Sequence, residues 1–235
     1  MKKMKVNSRK VFLALCILPF ITTALSMLFL PDIIPVHYGA DGVINRYGSK
    51  YEGFIIAAVT GMTGIMLWII PTLQRKYAKG DEAVKKAESN AKVINYIGIA
   101  TMVMFNIMQA AFLFSSYNEV KNTSATMSVD IYKVVGICMG IMLAVMGNFL
   151  PKCKRNGLVG VRTPWSMHSD EAWAMSQRSG GITMIITGIL LLTGSCILNN
   201  LNVMILLCVL LVLMASACVY LSYVAFKKTE QAKKG

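Results

Sequence analysis

Hydrophobic and polar positions alternate in long blocks along this chain. Six apolar runs are separated by polar connections, and none of the six has an acidic or basic residue at its centre. A helix needs roughly 20 apolar residues to cross a hydrocarbon core about 30 Å thick. The pattern therefore predicts six transmembrane helices, at approximately 11–30, 53–72, 93–114, 131–150, 182–198 and 203–226.

The composition favours the same interpretation. Of the 235 residues, 55% are hydrophobic and only 15% are charged, which is outside the range of a soluble domain. Basic residues precede the first run, as they do in a signal peptide, but this run is longer than the roughly 7–15 apolar residues of such a segment. We predict that the first run remains as a helix. The predicted fold class is an all-α, polytopic membrane protein.

The basic residues predict the orientation of these helices. The formal net charge is +13, and 20 of the 24 Lys and Arg residues lie in the two tails and in the second and fourth connections. By the positive-inside rule, these parts are cytoplasmic, so both termini are inside. The basic excess then reflects topology and anionic lipid headgroups, and direct nucleic-acid binding is not expected.

The first outer connection, residues 31–52, is predicted to be an ordered loop. Two prolines stiffen its start, Asp41-Gly42 is a turn signal, and charges of both signs follow one another. A rigid loop of mixed charge is typical of a peptide-recognition surface. The candidate recognition residues are Pro31, Asp32, Pro35, His37, Asp41, Gly42, Arg46 and Lys50.

The third run carries two amide side chains on one helical face, Asn106 and Gln109. Because amides exposed to hydrocarbon are costly, this face is expected to point into the helix bundle. Two interpretations remain open, namely hydrogen bonds between helices and a ligand pocket.

The fourth connection contains a segment of distinctive residues at 156–181, which we call the cytoplasmic motif. Thr163-Pro164 is typical of a helix start, and Ser169 is expected to cap a second, short helix that carries Trp173 and ends near Gly180-Gly181. We predict that this short helix lies at the membrane interface between helices 4 and 5. Arg162 and Arg178 are placed to hold an anion such as a lipid phosphate. Attachment to the inner leaflet and docking of a cytoplasmic partner both remain open.

The residues provide no recognisable catalytic set. Sequences of the GxSxG, HExxH, Walker and GxGxxG types are absent, and all 11 acidic residues lie in connections or at helix ends. The two histidines, His37 and His168, fall on opposite sides of the membrane in the predicted topology and cannot share a metal. No CxxC pair is present among the six cysteines. We therefore expect no enzyme activity, no metal and no cofactor.

The cytoplasmic motif resembles the signature of the SdpI family of bacterial immunity membrane proteins. The outer segment, with Leu30 to Tyr38, Asp41-Gly42 and Gly48 to Lys50, is similar to the uncharacterised domain that often precedes that signature. The resemblance implies a plasma-membrane protein that protects a bacterium from a secreted, membrane-active peptide toxin. It also implies that some members hold a transcriptional repressor at the membrane. The positions that match the cytoplasmic signature are Asn156, Gly160, Arg162, Thr163, Pro164, Trp165 and Trp173.

We predict three parts of the chain: a two-helix unit at 1–72, a cytoplasmic linker at 73–92, and an SdpI-like four-helix unit at 93–235. The predicted function is immunity to a peptide toxin, with the outer loop recognising the toxin and the cytoplasmic motif anchoring or signalling. Two alternatives remain open. One is a small transporter that uses the Asn106 and Gln109 face, and the other is a membrane enzyme acting on lipid or cell-wall precursors.

Overall fold

Six helices and one β-hairpin make up the described part of the fold. A computed structural model of the protein describes residues 6–232, with side chains from Lys10 onward. The elements are α1 (Val6–Ser26), β1 (Ile33–Tyr38), β2 (Ile44–Ser49), α2 (Phe54–Tyr77), α3 (Asp81–Asn122), α4 (Ile131–Phe149), α5 (Asp170–Ile197) and α6 (Leu201–Ala232). Short 3₁₀ turns at Lys50–Gly53 and Leu150–Lys152 adjoin α2 and α4.

Five helices, α2 to α6, are long and apolar enough to cross a membrane. The described part of α1 that carries side chains, Lys10–Ser26, is apolar but shorter. Large apolar side chains are also exposed along these helices; Val212 and Leu213 on α6 are 66% and 60% exposed. In a membrane such faces contact lipid. The prediction of an all-α, polytopic membrane protein is confirmed.

Helix α3 is much longer than its apolar run. It extends over 42 residues and begins with Asp81 and Glu82, whose carboxylates lie at the positive end of the helix dipole. Since α2 ends at Tyr77, only residues 78–80 of the predicted linker lie outside a helix. The polar stretch before the third apolar run is therefore a rigid helical extension.

The prediction of a short, separate helix between helices 4 and 5 is wrong. Ser169 does cap a helix, because its Oγ accepts the Ala172 N–H at 3.1 Å, but that helix is α5 and it continues without a break to Ile197. Gly180 and Gly181 do not end it. A Cβ on Gly180 would lie 2.6 Å from the Val161 side chain, so this glycine serves close packing inside the helix.

The chain packs into two compact units, each assembled from separate segments. The first comprises the chain up to Met66, Gly98–Cys138 and Thr193–Ile205. The second comprises Leu67–Ile97, Met139–Leu192 and the chain from Leu206. The sequence-based division at 72 and 92 follows chain order instead and stays a prediction.

The outer connection in the first unit forms an antiparallel hairpin, β1-β2. Ile34 is fully buried and packs with Leu30 and Leu113, so an apolar cluster joins the hairpin to α3. The sequence predicted an ordered loop here and did not predict strands. The hairpin is the feature that brings the outer candidate residues together.

Candidate functional site

The turn of the hairpin is held in one conformation by its own backbone. Gly42 has φ of +81°, a value that side chains rarely adopt, and its N–H donates to the Gly39 carbonyl at 2.9 Å. The Asp41 carboxylate accepts the Val43 N–H at 3.0 Å, which is the Asx-turn geometry expected of Asp before Gly. Asp41 and Gly42 therefore shape the turn.

Two other connections of the first unit attach to this turn. The Met127 N–H donates to the Gly42 carbonyl at 2.9 Å, and the Ile44 N–H donates to the Ala125 carbonyl at 2.9 Å. From the α5–α6 connection, Asn200 Nδ2 donates to the Asp41 carbonyl at 3.1 Å. The hairpin turn and these connections thus form one continuous surface, which we call the outer surface.

The exposed side chains of the hairpin present groups that can form hydrogen bonds and ion pairs. His37 and Arg46 are paired across the strands. His37 Nδ1 lies 2.6 Å from Asn45 Oδ1, and Arg46 forms a two-pronged ion pair with Glu52 at 2.9 and 3.4 Å. Both residues are exposed, so the structure places these predicted site residues side by side.

Lys50 and the prolines have structural contacts that the sequence did not indicate. The Lys50 side chain is 15% exposed, and its ammonium lies 3.1 Å from Asp32 and 3.4 Å from the carbonyls of Met27 and Leu30. It therefore neutralises the carbonyl end of α1. Pro35 is buried and its carbonyl accepts the Ser116 hydroxyl, whereas Pro31 and Asp32 are exposed.

Sequence reasoning missed one buried carboxylate of the first unit, Glu119, which is 1% exposed. Its oxygens accept hydrogen bonds from the Tyr38 hydroxyl at 2.9 Å, the Ser115 hydroxyl at 2.5 Å and the Ser128 N–H at 2.8 Å. Burial and the Glu119 hydrogen bond together raise the pKa of Tyr38 well above its usual range. This network fastens β1 to α3.

The intramembrane amides are used within the first unit. Asn106 Nδ2 donates to the Leu15 carbonyl at 2.9 Å and to the Met102 carbonyl at 2.8 Å. Gln109 Nε2 donates to Thr23 Oγ1 at 2.6 Å and to the Gly53 carbonyl at 3.1 Å. Their amide N–H groups thus link α3 to α1 and to the start of α2.

In the second unit, the cytoplasmic motif begins with an asparagine that organises its own turn. Asn156 Oδ1 accepts the N–H groups of Leu158 and Val159, each at 2.8 Å. Its Nδ2 donates to the carbonyls of Lys154 and Val159 at 2.8 and 3.0 Å. These bonds explain why this turn requires an asparagine.

The centre of the motif packs on the first turns of α5. Gly160 has φ of +120°, and a Cβ there would lie 2.9 Å from the Trp173 ring. Gln177, which is fully buried, accepts the Val161 N–H at 2.8 Å and donates to the Val161 carbonyl at 3.0 Å. Gln177 is a second residue that sequence reasoning missed, because its partner is 16 positions away.

Trp173 is buried within the protein, whereas the sequence predicted it on a short helix at the membrane interface. It is 2% exposed, and its Nε1 donates to the Cys153 carbonyl at 2.8 Å. A buried indole needs a hydrogen-bond acceptor, and the chain after α4 provides one. Burial raises the pKa of the Cys153 thiol to about 11.

Thr163 caps a single turn, and α5 begins only at Asp170. The Thr163 Oγ1 accepts the Ser166 N–H at 3.0 Å, and the Met167 N–H donates to the Thr163 carbonyl at 3.0 Å. The same Oγ1 lies 2.8 Å from Ser222 Oγ on α6. Trp165 contacts the Tyr223 ring edge-on, with the ring centroids 5.3 Å apart, so this turn packs against α6.

Arg162, Pro164 and Arg178 remain exposed. Within the described residues, neither arginine forms an ion pair, and no bond joins the two. His168, an exposed histidine of the motif, lies 3.1 Å from Glu230. Exposed cations without an acidic partner can bind an anion or the acidic surface of another protein. Arg162 and Arg178 are therefore accessible for the anion binding that the sequence predicted.

Among the described residues, no group of three or more His, Cys, Asp or Glu side chains is placed to hold a metal ion. The six cysteines are free thiols. His37 lies in the first unit and His168 in the second.

The comparisons with known proteins match both segments described above. Residues 152–222 match the SdpI/YfhL protein family, and residues 14–61 match a domain of unknown function, DUF1648. Immunity protein SdpI of Bacillus subtilis (strain 168) is 21% identical over 204 residues, which cover 85% of this chain and 89% of that protein. No solved structure gives a significant match.

The matched segments contain the outer hairpin and the cytoplasmic motif. The segment at 14–61 includes the hairpin, and the segment at 152–222 includes the whole cytoplasmic motif. With its membrane-crossing helices, the protein is a multi-pass protein of the bacterial plasma membrane. Through the segment at 152–222, the chain is similar to the SdpI/YfhL protein family.

Proposed function

We propose that this protein is a non-enzymatic immunity protein, which protects its cell from a secreted, membrane-active peptide toxin. The observation that carries the proposal is the similarity, over 85% of the chain, to a protein named as an immunity protein. That similarity extends over both the outer hairpin and the cytoplasmic motif. Immunity requires recognition of a toxin that arrives from outside the cell.

The outer surface is the proposed recognition site. Its turn is fixed by backbone bonds to two other connections, so a ligand would meet a surface that is ordered in advance. His37 and Arg46 lie exposed and side by side on it, and aromatic Tyr47 is 57% exposed. Such a combination of cation, imidazole and aromatic ring suits an amphipathic peptide.

The exposed part of the cytoplasmic motif is the proposed site of intracellular signalling. Arg162, Pro164 and Arg178 are exposed, whereas other residues of the motif, such as Trp173 and Gln177, are buried. In this proposal, a transcriptional repressor docks here when toxin is bound outside, and its target genes are then expressed.

The two other candidate functions have less support. A transporter would need Asn106 and Gln109 to face a substrate, yet their N–H groups bind helix carbonyls and a threonine hydroxyl. A membrane enzyme would need a cluster of titratable groups, and no metal-holding cluster exists within the described residues.

The immunity proposal is tested in the natural host. Deleting the gene should sensitise cells to the host's own spent medium, and expression of the wild-type chain should restore survival. Arg46→Gln should reduce protection about tenfold or more, as expected for a recognition hot spot. Lys121→Gln, which removes another exposed charge of the first unit, is the matched control. Deletion cells that survive spent medium as well as wild-type cells would refute the proposal.

The signalling part has its own readout. Transcripts that rise in wild-type cells on exposure to spent medium should rise less in Arg162→Gln cells, with equal membrane levels of the protein. Lys228→Gln, an exposed lysine on α6, is the control. An unchanged transcript response in the Arg162→Gln cells would remove the docking role and leave the immunity proposal standing.

A further inference from the structure

The second unit contains a basic cleft whose charged residues belong to neither the outer surface nor the cytoplasmic motif, apart from Asp170. It measures about 270 Å³ and is formed by the first turns of α3, the segment after α4 and the first turns of α5. Four cations line it, Lys85, Lys86, Lys154 and Arg155, against two carboxylates. Two formal positive charges therefore remain unbalanced. We call it the inner basic cleft.

The backbone that presents two of these cations is fixed. The Asn90 side chain, which is 2% exposed, accepts the Lys154 N–H at 2.8 Å and donates to the Lys154 carbonyl at 3.2 Å. The adjoining Cys153 carbonyl accepts Trp173 Nε1 at 2.8 Å. Hydrogen bonds from α3 and from α5 thus hold the chain on either side of the cleft.

The Arg155 guanidinium is also held in place. Its Nε lies 2.7 Å from Asp170, and its Nη1 donates to the Met167 carbonyl at 3.1 Å. A guanidinium has five N–H donors, so further donors remain for a ligand in a fixed fork geometry. Lys86 is positioned by Asp170 at 3.1 Å and Glu82 at 3.0 Å.

Lys85 and Lys154 are the other two cations of the cleft, and no ion pair holds their side chains in place among the described residues. Both are exposed. A fixed guanidinium with several nearby ammonium groups matches the tetrahedral, multiply charged oxygens of a phosphate group better than a single carboxylate.

The position of the cleft favours a phosphate that belongs to a lipid. Lys154 and Arg155 follow closely after α4, one of the membrane-crossing helices, in a connection that the positive-inside rule places in the cytoplasm. The lining also contains apolar surface from Pro151, Trp173 and Ala174. Basic pockets between helices at the cytoplasmic side are typical sites for anionic headgroups.

A second cleft of about 480 Å³ shares Lys86 and Arg155 with the first. One of its lining side chains, Gln74, has a buried Oε1 that accepts no hydrogen bond from any described residue. A buried acceptor without a donor costs free energy until a donor arrives. The hydroxyl groups of a glycerol headgroup are such donors.

We propose that the inner basic cleft binds the phosphate of an anionic phospholipid of the phosphatidylglycerol type. The site is separate from the Arg162 and Arg178 surface, and it does not depend on the toxin or on the immunity function. A lipid bound there would connect α3, the segment after α4 and α5 through their cations. The second unit would then be more stable in an anionic leaflet.

The test uses the purified full-length protein and native mass spectrometry after incubation with phosphatidylglycerol or phosphatidylcholine. The wild type should retain phosphatidylglycerol selectively. Lys85→Gln with Lys154→Gln should lower that retention about 30-fold, since a lysine near anionic headgroups contributes roughly fivefold. Lys79→Gln with Lys228→Gln removes the same charge from exposed positions outside the cleft and should change retention little.

Two outcomes would overturn the proposal. Equal loss in both double variants would show that overall surface charge, and not the cleft, attracts the lipid. If the wild type shows no preference for phosphatidylglycerol, but millimolar inorganic phosphate raises its melting temperature and not that of the cleft variant, the ligand is a soluble phosphate. Thermal melting of the ligand-free variants checks that both double substitutions leave the fold intact.

Discussion

Removing the Tyr38 hydroxyl should loosen the outer hairpin from α3. Tyr38→Phe keeps the ring and deletes one 2.9 Å hydrogen bond to the buried Glu119 carboxylate. A hydrogen bond to a charged group contributes about 1.5–3 kcal/mol. In the described part of the chain, Tyr38 is the only donor to Glu119 Oε2, so the substitution leaves this oxygen without a protein donor. The free energy of local opening of the hairpin should fall by that amount.

Hydrogen–deuterium exchange of the protein in detergent measures this opening directly. A loss of about 1.5–3 kcal/mol corresponds to exchange about 10- to 150-fold faster in residues 33–49. Tyr47→Phe is the matched control, because Tyr47 lies on the same hairpin and is 57% exposed. If both variants exchange like the wild type, the Tyr38–Glu119 bond does not hold the hairpin and the reasoning fails.

The same bond predicts a pH dependence. The folded-state pKa of Tyr38 is raised by burial first and by the Glu119 hydrogen bond second. A group whose pKa is raised on folding stabilises the fold fully below its unfolded pKa, which is about 10 for tyrosine, and loses that contribution as the pH rises further. Hairpin exchange, corrected for the intrinsic rate, should therefore accelerate above about pH 10 in the wild type. Tyr38→Phe should not show this additional acceleration.

Two further predictions concern packing and reactivity in the second unit. Gly140→Ala would place a Cβ 2.8 Å from the Gly188 carbonyl and should destabilise the protein by about 1–3 kcal/mol. Gly157→Ala is the control, because the space around Gly157 is open, and it should leave the melting temperature nearly unchanged. Equal melting temperatures of the two variants would contradict the close α4–α5 packing. Cys153 should react slowly with a maleimide at pH 8, because burial shields its thiol and raises its pKa to about 11. In a background without the other five cysteines, its labelling rate should be lower, by a factor of about ten or more, than that of the exposed cysteine in a Lys154→Cys variant that also lacks Cys153. Comparable labelling rates would show that the segment after α4 opens readily.

The helices could be predicted because hydrophobicity along a single chain determines them. Each apolar run overlaps one of the helices α1 to α6, although the first run continues beyond the end of α1 at Ser26. Ser169 caps a helix, as its hydroxyl indicated. The length of α3 and the continuity of α5 were harder to predict. Gly180 and Gly181 are typical of a helix end when the sequence is considered alone. In the folded protein, Gly180 packs against Val161, and Gly181 packs against Gly147 and Pro151.

The buried polar residues could not be predicted, because their partners are distant in sequence. The sequence places Glu119 only among the acidic residues in connections or at helix ends, and its hydrogen-bond partner Tyr38 is 81 positions away. Trp173 was assigned to the membrane interface from its amphipathic ring. Its partner is a backbone carbonyl at Cys153, and backbone carbonyls carry no signal in the sequence.

The residues of the cytoplasmic motif fall into two physical classes, and this division determines how variants should be interpreted. Asn156, Gly160 and Trp173 are used in hydrogen bonds or packing within the second unit, so their substitution removes the local fold and reduces the amount of protein in the membrane. Arg162 and Arg178 are exposed and form no ion pair with any described residue, so their substitution should leave that amount unchanged. A loss of protection is therefore evidence about docking only when it arises at the exposed arginines with normal membrane levels. The same loss at the packed positions measures stability.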